Sequence, residues 1–574
     1  MGVSTLPIED NLKDQIRSSR TFTQRILTTL AQQATENWIE FWNGPTEQTR
    51  WSYAELSEDA RRIAVWITKK GYRPGTTVVL AFSPGINFMR AVLGALHAGL
   101  VIAPIPLVVA DDEHSARRLQ LILEESPGGF ILCDKPGWET CLTANVDNVA
   151  LCLPEPNTLS EISTDTWRIP YTEPDDLVIL QYTSGSTGNP KGVEITQRNL
   201  LENQISIVEI TKADTSDVIT GWLPHYHDMG LIGMFLHPLT VGCSLVFTSP
   251  AQFLRRPYLW LKMISERRAT MTVGPDFAYA FVPRLTRPAQ VKGLDLSSLR
   301  AVITGSEPVR WASMCAFDEL TSPLGFKFAS FRPAYGMAET TLLITGGEPE
   351  RYPRILKADR DQLSEGQVRP AEAGHDATTL VSCGVPASQA DVRIVSSDTG
   401  EEVAEGTVGE ILVRGPWVSR GYRGRERTTQ DFAARIDGID ADYLRTGDLG
   451  TFIDGRLFVT GRAKEVIILR GRNIFPQDVE QSALDAIGSG ASGTAAAFEL
   501  DDGIGIVIEL TPEKLRENTE PLRQELAQVL RDRFGVGNVT IKFGRRGSLP
   551  KTSSGKVQRG KVRESMAAGD RGEK

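Results

Sequence analysis

Strand-like and helical stretches alternate through most of the chain, and this alternation constrains the fold more than any other feature. "TTVVLAF" (Thr76–Phe82) is apolar and β-branched, "GINFMRAVLGALHAG" (Gly85–Gly99) reads as a helix, and "LVIAPI" (Leu100–Ile105) reads as a second strand. The order recurs in "CSLVFTS", "PYLWLKMISERRA" and "TMTVGP", between Cys243 and Pro275. A strand, a helix-sized connector and another strand predict a parallel sheet covered by helices. From Asp391 the pattern turns to short strands and tight turns ("DVRIVSSDTG", "VGEILVRG", "GRLFVTG"), which predicts an antiparallel, β-barrel-like region. After "GRAKEVIILRGRNIFPQDVE" comes a compact α+β stretch of about a hundred residues, the size of a separate small domain. The expected class is α/β. Residues 1–463 would form a large N-terminal domain of layered α/β subdomains with the barrel-like region, and residues 464–574 a small α+β C-terminal domain.

Length and composition agree with this division. A chain of 574 residues exceeds one ordinary domain, and 24% charged with 41% apolar residues marks a globular protein. A net charge of −9 argues against nucleic-acid binding over the whole surface. The end of the chain differs: from Ile541 onward ten Lys or Arg stand against three acidic residues. The six cysteines show neither a CxxC pair nor a secreted framework, and "MGVSTLPIEDNLKDQ" has no signal h-region. The run "AVLGALHAGLVIAPIPLVVA" (Ala91–Ala110) is long enough to span a bilayer, but it holds His97, two glycines and two prolines. It reads as a buried helix ending near Gly99 and then a buried strand. A cytoplasmic protein without stable membrane insertion is expected.

One stretch cannot pack a core. "YTSGSTGNPKGVEIT" (Tyr182–Thr196) is Ser, Thr, Gly, Asn and Pro from Thr183 up to Lys191, set between the strand "DLVILQYT" and a strand that runs into a helix with Thr196 as N-cap. Such a loop offers many N–H and O–H donors to an anion, above all a polyphosphate, and Lys191 adds a charge. The spacing is not that of a Walker loop, because Gly192 follows the lysine. A flexible surface turn has the same composition, so the loop alone does not decide.

Further polar islands lie in apolar surroundings: "ITGSEPV" (Ile303–Val309), "AYGMAETT" (Ala334–Thr341), "YLRTGDLG" (Tyr443–Gly450) and "LPKTSSGKVQR" (Leu549–Arg559). Together and in this order, from about Thr21 to Arg559, they resemble the adenylate-forming superfamily of acyl-CoA synthetases, luciferases and peptide-synthetase adenylation domains. The resemblance implies ATP and Mg²⁺ as cofactors and a mobile C-terminal domain. Thr183, Ser184, Gly185, Ser186, Thr187, Gly188 and Lys191 would hold the β- and γ-phosphates. Gly305, Ser306 and Glu307 would line the adenine, with Tyr335 stacked on the ring beside Gly336 and Met337. Glu339 would hold Mg²⁺. Asp448 and Arg462 would grip the ribose, Lys556 would reach the carboxylate and α-phosphate, and Lys464 matches the hinge position.

"GWLPHYHDMGLIG", "TVGPDFAYAF", "FRPAYGMAETTLL" and "VIILRGRNIFPQDVE" resemble one branch, the fatty acyl-AMP ligases, which pass the acyl group to the phosphopantetheine of an acyl carrier protein. In that branch His227 borders the acyl site. "HYHD" also reads as a zinc pair if His225 and His227 share one face of a strand, but no second His/Asp cluster accompanies it. The segment Glu348–Thr379 resembles the insertion by which these ligases are said to impede the coenzyme A reaction; an ordinary surface loop is the plain alternative.

The expected reaction is therefore ATP-dependent activation of a fatty acid to acyl-AMP, then transfer to a holo acyl carrier protein or the carrier domain of a polyketide or peptide synthase. The nearest rival is a medium- or long-chain acyl-CoA synthetase. Amino-acid adenylation would need an acid in the acyl pocket, for which Asp276 is the candidate. A nucleotide sensor without catalysis is the non-enzyme rival.

Overall fold

The computed structural model describes residues 8–107, 113–146, 149–184, 190–424, 429–469, 472–500, 503–552 and 556–569. The chain divides into two compact units. One comprises Met1–Pro353, Cys383–Asp391 and Arg414–Ala433; the other comprises Arg354–Ser382, Val392–Val413 and Ala434–Lys574.

The first unit is built on two sheets. In the larger, the strands Val218–Gly221, Met271–Pro275, Ala301–Gly305 and Phe331–Gly336 lie side by side and parallel, with Ser244–Thr248 and Trp38–Trp42 continuing the parallel order. Antiparallel strands close its two edges: Gln48–Ser52 on one side, Leu343–Gly346 and Val385–Pro386 on the other. The second sheet runs Ala150–Cys152, Phe130–Cys133, Thr77–Ala81, Val101–Ile105 and Leu177–Ser184 in parallel, then turns back antiparallel in Pro190–Thr196. Both faces of such sheets are covered, which is why their strands are apolar throughout.

The long apolar run resolves into the helix Ile86–His97 and the strand Val101–Ile105, as its breakers predict. Gly94 lies so close to Ile63 that a Cβ there would meet its side chain at 2.2 Å, so the glycine lets two helices pack tightly. Among the described residues no helix is long and apolar enough to cross a membrane.

The second unit is largely antiparallel. Asp391–Val395, Gly409–Arg414, Ile439–Ile453, Ala434–Ile436 and Arg456–Arg462 make a five-stranded sheet. Its outer strands Asp391–Val395 and Arg456–Arg462 do not pair, so the sheet is open and no closed barrel forms among the described residues. Closed spacing of strands and turns predicts antiparallel neighbours, but closure also requires matched tilt and stagger, which turn spacing does not encode. The α+β part is a three-stranded sheet, Ala491–Leu500, Gly503–Leu510 and Asn538–Arg545. Ile504, Ile506 and Ile508 pack there with Leu526 and Leu530 of the helix Glu520–Phe534.

The segment Glu348–Thr379 is not a loose loop. Its strand Ile355–Asp359 pairs with Ala377–Val381, and the short helix Arg360–Ser364 lies between. Ala358, Leu363 and Val368 are buried with Phe475. Arg472 pairs with Asp361 at 2.5 Å, Arg533 with Asp376 at 3.3 Å, and Thr378 donates to Asp478 at 3.2 Å. The segment is thus packed on Phe475, the helix Pro476–Ile487 that follows it, and the helix Glu520–Phe534.

Candidate active site

The phosphate-loop candidate sits at the tip of an antiparallel hairpin. Thr183 pairs with Lys191 and Ser184 with Pro190; Gly185, Ser186, Thr187 and Gly188 lie outside the described residues. The far end of the hairpin is firmly held. Thr196 caps the helix Gln197–Thr211, its hydroxyl accepting from Asn199 N–H while the Asn199 side chain accepts from Thr196 N–H. This reciprocal cap satisfies two of the helix's orphan donors.

The strand Pro190–Thr196 also takes a second neighbour. Arg423 N–H donates to Gly192 O at 2.7 Å and Glu194 N–H to Gly421 O at 3.0 Å. This brings Tyr422 beneath Lys191, whose Nζ lies 4.8 Å from the ring centroid. The Tyr422 hydroxyl donates to Glu339 Oε1 at 2.7 Å. Lys191, Tyr422 and Glu339 therefore form a line of cation, aromatic face and carboxylate. A cation over such a face gains about 0.5–1 kcal/mol where exposed and about 2 where desolvated.

Glu339 is fixed from behind. It lies in the one-turn helix Ala338–Thr340, and Ser419 N–H donates to its carbonyl at 2.9 Å. The fully buried Asn203 donates to Thr340 O at 3.2 Å and Leu343 O at 2.9 Å and accepts from Leu343 N–H at 3.1 Å. Between those contacts Thr341 stands at φ +67° and ψ −60°, a γ-turn conformation that a β-branched residue adopts only under strain. Ser306 has φ +68°. Strain of this kind persists where the surroundings over-determine it, and functional sites are where it collects.

The adenine-side candidates come from adjacent parallel strands. A Cβ on Gly305 would meet Ala334 O at 2.6 Å, so the strand ends bearing Gly305–Glu307 and Tyr335–Met337 approach closely because residue 305 is glycine. Tyr335 is buried and pairs with Thr345; Gly336 and Met337 are half-buried. Glu307 accepts Phe277 N–H at 2.6 Å, so it also caps the helix Asp276–Leu285. These residues lie at the carboxyl ends of parallel strands, where open α/β sheets bind ligands.

"HYHD" is a turn, not a strand, so the two imidazoles share no strand face. His225 is buried against Phe88, ring centroids 4.2 Å apart, and neither of its nitrogens has a partner among the described residues. Burial pushes its pKa down to about 3, which keeps it neutral. His227 is partly exposed, with Nδ1 2.7 Å from Asp228 Oδ1. The following residues Met229–Leu236 form a π-helix, a rare geometry that recurs at functional sites. Trp222 stacks on Phe253 at 3.8 Å and meets the edge of Phe277 at 5.8 Å, which joins the two apolar segments expected at an acyl site.

The remaining candidates belong to the second unit. Asp448 and Arg462 face each other across a hairpin, with Arg462 Nε donating to Asp448 Oδ1 at 2.9 Å. Lys464 is exposed in the short turn Ala463–Glu465. Lys556 is bonded to Thr552: its N–H donates to Thr552 Oγ1 at 3.1 Å, and Thr552 N–H donates to its carbonyl at 2.7 Å.

With this geometry in hand, the comparison with known families is decisive: the model for the AMP-binding enzymes matches residues 29–423. The chain belongs to the AMP-binding enzyme family. It is 38% identical over 72% of its length to a medium-chain fatty acid–acyl-carrier-protein ligase, TtuA, of Teredinibacter turnerae, of which it covers 66%. To a ligase of the same name, JamA, from Moorena producens it is 34% identical over 92% of its length and 91% of that protein. A crystal structure of the fatty acyl-adenylate ligase of L. pneumophila, in complex with acyl adenylate and pyrophosphate, superposes with a TM-score of 0.75 at 31% identity, covering 96% of this chain and 97% of that one. These relatives are named fatty acid–acyl-carrier-protein ligases and a fatty acyl-adenylate ligase.

One residue of this AMP-binding enzyme escapes the motifs, and another, Asp276, has a structural task that its motif does not announce. Tyr422 is 83 residues from Glu339, and nothing in "SRGYRG" announces that strand pairing will carry it there. Asp276 is buried at 1% exposure and accepts from Arg310 N–H and Ser313 Oγ, both at 2.8 Å. It anchors the start of the helix Trp311–Thr321.

Burial pushes the Asp276 pKa up to about 7. The folded state therefore holds this proton more tightly than the unfolded chain does. Its contribution to stability is present at low pH and falls as pH rises from about 4 to about 7, by up to about 1.4 kcal/mol per unit. In Asp276→Asn, thermal stability between pH 5 and 7.5 should lose that component of its slope, which unfolding curves of the two proteins measure directly. Equal slopes would mean that Asp276 does not titrate there.

Proposed function

We propose that the enzyme activates a fatty acid as acyl-AMP and passes the acyl group to the phosphopantetheine thiol of an acyl carrier protein. The observation that carries this reading is the line of Lys191, Tyr422 and Glu339 beside the tip of the hairpin. It sets a cation and a carboxylate at the place where a polyphosphate loop is expected. The relatives' names support the choice of fatty acid and of carrier protein.

In the first half-reaction the fatty carboxylate attacks the α-phosphorus of ATP. A carboxylate–phosphorus bond forms, the α–β bridging bond breaks, and pyrophosphate leaves. No protein nucleophile is needed, so the work is positioning and charge stabilisation. Thr183, Ser184, the loop to Gly188 and Lys191 hold the β- and γ-phosphates. Gly305–Glu307 and Tyr335–Met337 hold the adenine, and Asp448 with Arg462 the ribose. Lys556 stabilises the charge that develops between carboxylate and α-phosphate, and His227 borders the acyl chain. Glu339 offers the hard oxygen donor that Mg²⁺ prefers, and the ion would neutralise phosphate charge there.

In the second half-reaction the domain 464–574 rotates about Lys464 and withdraws Lys556, giving the carrier thiol a path. All six cysteines are free thiols, which suits a reducing compartment, and we assign the reaction to the cytoplasm. The test is the product formed from ATP and a panel of fatty acids, with and without coenzyme A and a holo carrier protein. Pyrophosphate release without carrier acylation would overturn the reading.

Carrier proteins are acidic, and the basic end of this chain offers them a surface. Arg545, Arg546, Lys551, Lys561 and Arg563 are exposed, while Val562 and Met566 seat the helix Arg559–Gly569 against Phe498 and Leu549. Arg559 does not belong to this set, because its guanidinium is held by Glu480 and Glu465. Rim charges act on association rate and are screened by salt. Raising salt from about 50 to 300 mM, across which the Debye length falls about 2.4-fold, should slow carrier acylation several-fold more than pyrophosphate release. Equal sensitivity would remove these residues from docking.

A further inference from the structure

We propose that Arg559 is a positioning residue for Lys556, tying the lysine's segment to the hinge through Glu465. The inference rests on the catalytic reading of Lys556 given above and adds to it the device that sets the lysine's place.

Arg559 follows Lys556 by three residues and opens the helix Arg559–Gly569. Its side chain is 19% exposed and makes three charge-assisted bonds. Nε and Nη2 donate as a fork to Glu480 Oε1 and Oε2 at 2.7 and 2.9 Å, and Nη1 donates to Glu465 Oε2 at 2.5 Å. Glu480 is 3% exposed and also accepts Ala497 N–H at 2.9 Å, so this carboxylate is fixed in the floor of the small sheet. Glu465 belongs to the turn Ala463–Glu465, one residue beyond Lys464. One guanidinium therefore joins three things: the sheet, the hinge turn and the end of the Lys556 segment.

The other end of the Lys556 segment is anchored as well. Leu549 N–H donates to Glu509 Oε1 at 2.9 Å, and Glu509 is 1% exposed. Gln558 N–H donates to Pro550 O at 2.9 Å, and Lys551 and Val557 form a bridge. Backbone bonds hold the two stretches that flank Lys556, and the Arg559–Glu465 link ties them to the hinge turn. A lysine carried on such an arm follows the hinge as one body. Misplacing a catalytic group by about 1 Å is enough to cost on the order of 100-fold in rate.

Glu480 cannot be altered cleanly, because a buried charge would lose its partner. Glu465 is 35% exposed at its side chain and can be changed with the Arg559–Glu480 fork left in place. The experiment measures pyrophosphate release with a medium-chain fatty acid, and transfer from supplied acyl-AMP to a holo carrier, in Glu465→Ala, Glu465→Gln, Lys556→Ala and Glu465→Ala/Lys556→Ala. Adenylation kcat should fall about tenfold in Glu465→Ala with KM for ATP within twofold, transfer should stay within twofold, and Glu465→Gln should restore part of the rate. In the Lys556→Ala background the same change should add less than twofold, since a residue acting through another is silent once that residue is gone. Multiplying effects, or equal slowing of both half-reactions, would overturn the inference and leave the role of Lys556 standing. Wild-type adenylation by Lys556→Ala would overturn both.

Discussion

Lys556→Ala is expected to bind ATP nearly as the parent does and to form acyl-AMP at least ~10²-fold more slowly, the usual scale for losing one donor aimed at developing transition-state charge. The residues proposed to hold the phosphates (Thr183, Lys191 and the loop) and the adenine (Tyr335) lie elsewhere in the sequence and are unchanged by it. ATP affinity, measured by calorimetry, should therefore move by less than about threefold, equivalent to about 0.65 kcal/mol. Rapid-quench detection of acyl-AMP is the decisive measurement. A wild-type rate would remove Lys556 from the transition state. Equal losses in affinity and rate would make it a binding residue.

Excising Arg354–Ser382 is expected to release acyl-CoA formation from a near-zero background while pyrophosphate release stays within a few-fold. The ends of the segment already meet: Ile355 pairs with Val381, and Ser382 N–H donates to Arg354 O at 2.9 Å. A short linker can therefore bridge the gap. What the excision removes is the set of contacts from Asp361 to Arg472, Asp376 to Arg533 and Thr378 to Asp478, with the apolar packing on Phe475. Each exposed pair is worth at most about 1 kcal/mol. A combined restraint of only ~1.4 kcal/mol still changes a minor population about tenfold. Because Phe475 would lose its cover, Asp361→Ala/Asp376→Ala is the gentler companion and should show the same direction with a smaller gain. Unchanged acyl-CoA synthesis in both variants would reduce the segment to a structural appendage.

Much of this fold is written in local pattern. The helix and strand within the long apolar run follow from Gly99 and the two prolines, and the Thr196 cap from a hydroxyl placed just before a helical run. The parallel order of the sheets follows from connector length. Residues whose role depends on distant pairing are another matter. Tyr422 is unremarkable in its own neighbourhood and gains meaning only beside the strand Pro190–Thr196. Asn203 looks like any polar residue on a helix until it is found bonding three backbone groups around Glu339. "HYHD" misleads for a local reason: His227 N–H donates to Pro224 O, so the segment curls into a turn ahead of the π-helix. Arg559 is legible as charge but not as structure. Its place in a basic tail suggests a solvated surface, whereas two carboxylates 79 and 94 residues away enclose it.

The interleaving of the two units bears on how the molecule is made. Ribosomal synthesis proceeds from the N-terminus, and domains usually fold as they emerge. Here the hairpin carrying Lys191 appears early, yet its second neighbour, Arg420–Arg423, emerges only after Arg354–Ser382 and Val392–Val413, both of which belong to the other unit. The nascent polypeptide therefore exports strands destined for a different body before the first unit's own pairing is complete. Until residue 423 has left the exit tunnel, Glu339 lacks the tyrosine hydroxyl and the Ser419 amide that fix it. A truncated translation product ending before that point would carry every residue of the candidate phosphate loop and still lack the contacts that fix Glu339.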